Sequence, residues 1–171
     1  MKYFFPKMVR SKVKSAMHHY QRENGLELRW LLSPNRQRSG QFLAAYKDKH
    51  QGERCLIVGN GPSLKHMDLS PLRNKVTFGL NRIYLLFPEI GFATTYLVSV
   101  NKLVLDQCAD EIGRLNIPKF ISWRALPYAR KFHEYGFIRI SYGVEFSKNP
   151  REVIFESATV TNVALFWSNG T

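Results

Sequence analysis

The sequence is short of cysteine, of acidic residues and of long apolar runs, and each shortage closes off a class of protein. Its two cysteines, Cys55 and Cys108, stand far apart and outside any Cys-x-x-Cys pair. A disulfide scaffold and a thiolate zinc site are therefore not expected. Cys55 falls in an apolar run, where a small buried thiol is the expectation. The longest weakly charged stretch, 83–100, contains Pro88, Glu89 and Gly91. It reads as two core elements with a turn between them rather than a membrane span. Tyr3-Phe4-Phe5 is too short for the apolar part of a secretory signal, and Pro6 follows it. A cytoplasmic location is the resulting expectation. The sequence also has no His-Glu-x-x-His, no Gly-x-Ser-x-Gly, no Asp-x-Asp and no Gly-Lys-Ser/Thr, which argues against zincins, serine hydrolases of the elbow type, metal-dependent glycosyltransferases and P-loop enzymes.

With 171 residues, the chain is long enough to bury one core without staples. Hydrophobic residues at 44% and charged residues at 22% exclude a wholly disordered or collagen-like chain. The net charge is +12, from 25 basic and 13 acidic side chains. It is uneven: 1–50 hold 11 basic and 3 acidic residues, and 51–171 hold 14 and 10. Val9, Val13, Ala16, Met17 and Tyr20 follow helical spacing, with Lys7, Arg10, Lys12 and Lys14 largely elsewhere on the wheel. This is a basic amphipathic helix. Such a helix either packs on its own domain or docks on an anionic membrane surface, which would make 1–20 a peripheral contact at the inner membrane. Nucleic acid is not an expected partner, because no recognised motif accompanies the charge. Ser33 to Gly40 reads as a linker, and 41–49 as a short helix. The expected organisation is a basic helical arm and linker over 1–50 and a folded domain over 51–171.

From Arg54 onward, elements alternate. Strands are expected at Cys55–Val58, Val76–Leu80, Tyr96–Val100, Lys119–Ser122 and Phe137–Ile140. Helical segments are expected at Pro62–Leu72, Ile83–Phe87 closed by Pro88, Leu103–Leu115, Ala125–Tyr135 and Val160–Trp167. Alternation of this kind predicts an α/β fold, a Rossmann-like parallel sheet with helices on both faces. Ligands of such sheets bind outside the carboxyl ends of strands, near a switch in strand order.

Three asparagines lie there: Asn60 after β-run 55–58, Asn81 after 76–80 and Asn101 after 96–100. An amide offers two donors and an acceptor without charge, suited to ribose, base or phosphate. Each also precedes a helical segment and would serve as a cap. The first turn is Gly59-Asn60-Gly61-Pro62-Ser63-Leu64-Lys65. Its glycines permit close backbone approach, Pro62 suits a first helical position, and free N–H groups beyond it would face an anion. Ser63 and Lys65 add a hydroxyl and a positive charge. The dinucleotide fingerprint is not met, since Leu64 stands near the third glycine position and Asn81 replaces the acidic ribose partner.

Gly-Asn-Gly-Pro-Ser-Leu-Lys after a strand resembles the opening of the MptE-like family, named for a 6-hydroxymethylpterin diphosphokinase, and of the related bacterial CMP-sialic-acid sialyltransferases. Phe78-Gly79-Leu80-Asn81-Arg82-Ile83-Tyr84 resembles their second-strand motif, Val98-Ser99-Val100-Asn101 their third-strand end, and Ser157 to Leu165 the segment that opens a late helix in the MptE-like proteins. The resemblance covers roughly 52–167. It implies a nucleotide-dependent transferase. Gly59, Asn60, Gly61, Ser63, Asn81 and Asn101 would bind the nucleotide, with Thr159 and Thr161 near its phosphates or sugar. As a diphosphokinase the protein would move diphosphate from ATP, with Mg²⁺, to a hydroxymethylpterin. As a sialyltransferase-like enzyme it would move a sugar from a CMP-sugar, without metal, to a surface glycan acceptor. Asn101 stands where MptE-like proteins more often carry Asp, which favours the metal-independent alternative. The family pattern continues beyond the late helix with a strand, an acidic motif and, in the sialyltransferases, a histidine base. The sequence ends at Thr171, so an incomplete domain lacking that segment is expected, and a non-catalytic nucleotide-binding member is a third reading. None of His18, His19, His50, His66 and His133 matches the base; His66 and His133 are expected at or near the surface.

Asp106 and Asp110 form an i, i+4 pair that would serve either a metal or, more simply, a solvated helix face. Trp123 and Arg124 follow the fourth strand and would serve either a ligand or, for Trp123, the core.

Overall fold

The computed structural model describes residues 25–141, 153–155 and 161. The expected amphipathic helix within 1–20, Thr159 and most of the late helix lie outside them. Six strands follow in chain order: β1 (Cys55–Val58), β2 (Val76–Leu80), β3 (Tyr96–Ser99), β4 (Lys119–Ser122), β5 (Tyr135–Ser141) and β6 (Val153–Phe155). All five pairings are parallel. Helices cover both faces, so the fold is the α/β, Rossmann-like arrangement expected. Among the described strands the order is β1-β2-β3-β4-β5-β6. It contains no reversal, so the expected switch in strand order is not found there.

That sequential order decides which elements cover which face. Right-handed crossovers between successive neighbours all fall on one side of a sheet. On that side Leu97, Ile121 and Phe137 pack with Ile83, Tyr84, Leu105, Ala109, Ile112, Trp123 and Leu126 from the connections. The opposite face presents Phe78, Leu80, Tyr96, Val98, Phe120 and Ile138, and none of the described crossovers packs on it. An element outside the crossovers must cover it. That element is a helix preceding β1.

Residues 25–31 form a first helix, α1, and Pro34–Tyr46 a second, α2. The linker expected at Ser33–Gly40 is therefore helix. Ser33 caps it by accepting the Asn35 N–H at 3.2 Å, and Pro34 sits in its first turn. The polar run becomes helical because α2 packs along β5 and the aromatic face. Phe42 meets Phe120 edge-on with centroids 5.9 Å apart, and Tyr46 meets Tyr96 at 5.6 Å. Ser39 is buried, and its hydroxyl accepts the Phe137 N–H at 3.0 Å, satisfying a strand donor. Gly136 makes room: a Cβ there would stand 2.6 Å from the Phe42 ring.

Three connections are shorter or tighter than expected. Pro62–Leu72 is two 3₁₀ turns, Pro62–His66 and Ser70–Leu72, parted where the Asp68 carboxylate accepts the Ser70 N–H at 2.9 Å. Ile83–Leu86 is 3₁₀ and leads into α3 (Phe87–Ile90), so Pro88 opens this helix instead of closing the previous one. Trp123–Lys131 is also 3₁₀; Pro127 inside it removes the donor an α-helix would use, and β5 starts at Tyr135. The longest crossover, α4 (Lys102–Arg114), is the expected helix; Leu105, Cys108, Ala109 and Ile112 are its buried stripe, while Leu103 is 68% exposed.

Candidate functional site

Strand register places the predicted residues on one rim. Val58 pairs with Gly79 and Leu80 with Val98, so Asn60, Asn81 and Ser99 lie level at the carboxyl ends of β1, β2 and β3. Asn101 lies two residues further out. The rim is shared, but the three amides are not equally available. Asn101 caps α4, its side chain accepting the Leu103 N–H at 2.9 Å. Asn81 has φ +50°, the left-handed conformation that Asn tolerates best among residues with a Cβ, and its Oδ1 accepts from the Ser99 hydroxyl at 3.5 Å. Both asparagines therefore have internal reasons for their identity. Asn60 is exposed and lines a cleft.

The cleft has a volume of about 330 Å³. One wall is the β1 turn, with Asn60, Gly61, Leu64 and Lys65; the other is the segment after β2, with Arg82, Leu85 and Glu89. Apolar and charged groups are thus mixed, with two cations against one carboxylate. Gly59, Asn81, Asn101 and Ser63 are not among the lining residues, and Ser63 is exposed. Thr161 is exposed, and its relation to the cleft lies outside the described residues. The structure thus gathers Asn60, Gly61 and Lys65 from the expected set, and adds Arg82, Leu85 and Glu89. Arg82 was legible as a cation directly after a strand-end Asn; Leu85 and Glu89 carry no local signal.

The glycines of the first turn differ from Gly79 and Gly113. At Gly79 a Cβ would meet Ile83 at 2.5 Å and Thr94 at 2.6 Å, and at Gly113 it would meet the Lys131 carbonyl at 2.1 Å. Those glycines are required by packing. At Gly59 a Cβ would have nothing within 4 Å, at Gly61 only the Ser63 hydroxyl at 3.7 Å, and neither has a positive φ. Neither the backbone nor the described surroundings demand glycine at these two positions. The turn that follows is a five-residue 3₁₀ segment, so the expected helix terminus supplies little dipole.

Behind the cleft, the Tyr84 hydroxyl donates to the Glu111 carboxylate at 2.5 Å. Burial, then the Glu111 bond and the neighbouring Cys108, hold the Tyr84 phenol far above its ordinary range. Tyr84 therefore remains a neutral donor.

The other candidates resolve into structural roles. Asp106 pairs with Lys102 and accepts from the Tyr128 hydroxyl; Asp110 pairs with Lys131 at 2.8 Å. These are bonds on and beside the surface of α4. Among the described residues no group of three or more His, Cys, Asp or Glu side chains could hold a metal ion. Trp123 is 5% exposed and packs edge-on to Trp30 in the core, settling its two readings in favour of packing. His66 and His133 are exposed as expected. Cys108 is buried, whereas Cys55 is only half-buried, a correction that follows from its place on edge strand β1. No described helix is long and apolar enough to cross a membrane.

At the opposite rim, Lys119 opens β4 with no solvent exposure. Its ammonium donates to the carbonyls of Ile117 at 2.8 Å and His133 at 2.7 Å. Burial pulls its pKa down to about 8, opposed weakly by Glu134. Nothing in the sequence marked this lysine.

Compared with family models, curated proteins and solved structures, the chain has no significant match to any of them.

Proposed function

We propose that the protein is a nucleotide-dependent transferase that takes a nucleoside phosphate at the carboxyl rim of β1 and β2. The observation that carries this reading is Gly61, a glycine without an internal requirement that lines a cleft walled by Lys65 and Arg82. A missing Cβ at a strand end lets a ligand phosphate approach the backbone closely. The two cations would offset its charge, Leu64 and Leu85 would contact the less polar part, and Asn60 would pair with ribose or base. Catalysis at such a site rests on positioning and charge stabilisation.

The reaction proposed first is diphosphate transfer from ATP to a hydroxymethylpterin, on the resemblance of the β1 and β2 motifs. Mg²⁺ would then accompany the nucleotide, and Glu89 is the carboxylate lining the cleft that would help to hold it. One observation favours the alternative, a metal-independent CMP-sugar transferase. Aspartate would cap α4 as well as Asn101 does, yet the residue there is the uncharged amide.

Titration of the full chain with ATP and with CMP, each with Mg²⁺ and with EDTA, tests the reading. Mg²⁺-dependent ATP binding supports the diphosphokinase; CMP binding indifferent to EDTA supports the alternative. Product formation separates an enzyme from a binding protein without turnover. Gly61→Val should weaken nucleotide binding at least about tenfold while leaving the melting temperature within a degree or two. Absence of binding to both nucleotides overturns the proposal.

A further inference from the structure

We propose that the outer corner of α1 and α2 is a docking surface for an anionic lipid bilayer, with a lipid phosphate seated in the cleft beside it. The proposal is independent of the nucleotide reading: that site belongs to β1 and β2, whereas this corner packs against β5, three strands beyond β2 in the described sheet. The inner side of α1 is committed to the fold. Trp30 is buried edge-on against Trp123 and Phe137, with centroids 6.4 and 5.9 Å apart. Leu26 packs against the same core, and Glu27 pairs with Arg139 of β5. A helix held this way is expected to turn polar side chains outward. α1 instead turns out Leu28, Leu31 and Leu32, all exposed, Leu32 at 77%. The Leu32 N–H donates to the Leu28 carbonyl at 3.1 Å, so the leucines share one side of the helix a turn apart. The other exposed large apolar residues, Leu56, Met67, Leu85 and Leu103, come from four separate segments, as isolated surface apolar residues do. At the α1 corner three are gathered within five positions.

What covers the leucines is decided by the charge around them. Arg29, Arg36 and Arg38 are exposed, and among the described residues none of them pairs with a carboxylate. Glu27, the acidic residue of 25–40, is taken by Arg139. The segment 1–24 ahead of α1 adds six basic side chains and one acidic. A second copy of this chain would bring the same arginines against these, a like-charge juxtaposition that opposes pairing. Nucleic acid would satisfy the arginines and leave the leucines in water. A bilayer with anionic headgroups offers an acyl boundary to the leucines and phosphates to the arginines within one interface. The cleft where α1 meets α2 and β5 has a volume of about 620 Å³, and Leu31 and Leu32 line it together with Ser33, Arg36 and Gln37. It therefore shares its lip with the leucines. Ser33 accepts from the Asn35 backbone N–H at 3.2 Å and from the Asn35 side-chain amide at 3.1 Å, which leaves its own hydroxyl proton to donate. Arg36 adds a planar fork that matches two phosphate oxygens. Arg139 also lines the cleft, but its charge is matched by Glu27.

The test is flotation of the full chain with vesicles of phosphatidylcholine alone and of phosphatidylcholine mixed with phosphatidylglycerol, at low and at high salt. The wild type should bind the mixed vesicles, bind phosphatidylcholine alone at least about tenfold more weakly, and be released by salt. Leu28→Gln combined with Leu32→Gln should weaken binding about 10- to 100-fold. Arg36→Gln combined with Arg38→Gln should weaken it about 25-fold and flatten the salt dependence. Arg36→Gln alone should lose more than Arg38→Gln alone, because Arg36 lines the cleft; equal losses overturn the phosphate seat. Leu103→Gln, an exposed leucine elsewhere, should bind as the wild type does. Melting temperatures should stay within a degree or two throughout, since every replaced side chain is exposed. Wild-type binding by the leucine pair overturns the proposal, including the case in which residues 1–24 alone hold the protein on the vesicle. Equal binding to both kinds of vesicle overturns it, as does binding to neither. A wild-type dimer that the leucine pair dissociates, without vesicle binding, overturns it in favour of a second copy. Binding to a DNA duplex that the arginine pair abolishes, without vesicle binding, overturns it in favour of nucleic acid.

Discussion

Raising the pH from 7.5 to 9.5 should stabilise the protein through one side chain, Lys119. Its ammonium has no solvent exposure and a pKa of about 8 against the ordinary 10.5. The folded chain therefore gives up this proton before the unfolded chain does. Between these two pKa values the unfolded state binds more protons, so stability rises with pH. Below pH 8 the cost of holding a buried charge is present in full, and above 10.5 it has gone. At about 1.4 kcal/mol per pH unit the whole gap corresponds to about 3 kcal/mol, of which about 2 kcal/mol falls between pH 7.5 and 9.5. Cys55 and the tyrosines act the other way. Burial raises Cys55 above 9.0 and Tyr96 to about 12, so their folded forms resist deprotonation and stability is lost above pH 9 to 10. Comparison with Lys119→Met removes these common terms. Urea denaturation of both proteins across that range should show the wild type gaining about 2 kcal/mol relative to the variant. Parallel pH profiles, within about 0.5 kcal/mol, would refute the argument that burial sets this lysine's protonation.

Gly113→Ala should destabilise by at least about 2 kcal/mol in thermal melts, because the new methyl meets the Lys131 carbonyl, a backbone atom, at 2.1 Å. Ser39→Ala should cost about 1–3 kcal/mol by leaving the buried Phe137 N–H without its acceptor. The adjacent Gly40→Ala should add about 1 kcal/mol, since a Cβ there meets nothing within 4 Å and helix propensity improves. Asn101→Ala should lose about 1 kcal/mol of stability and Asn101→Asp almost none, as a cap requires; equal losses would point to a contact other than the Leu103 N–H.

The amino-acid sequence by itself determined the strands and the side of the sheet on which a ligand would be sought. β2 and β3 are short, mainly apolar runs bounded by turn residues and buried almost throughout, and such a strand needs no information beyond that local pattern. The turn Gly59–Lys65 was legible for the same reason, since its glycines and proline act through the backbone. Tertiary structure decided the rest. Ser33 to Gly40 carries loop residues and becomes helix because the described crossovers cover one face only, leaving Phe78, Tyr96 and Phe120 to be buried by Phe42 and Tyr46. Asn81 and Asn101 carry the same amide as Asn60. Only the positive φ of one and the cap made by the other show that the fold uses them itself. The Tyr84–Glu111 bond joins residues from two elements that chain order separates, and Lys119 is an ordinary surface residue until β4 and β5 close around it. Backbone preference and apolar pattern are local quantities, written residue by residue. Burial, charge environment and cleft shape belong to pairs of distant segments, and they come into being only when those segments pack.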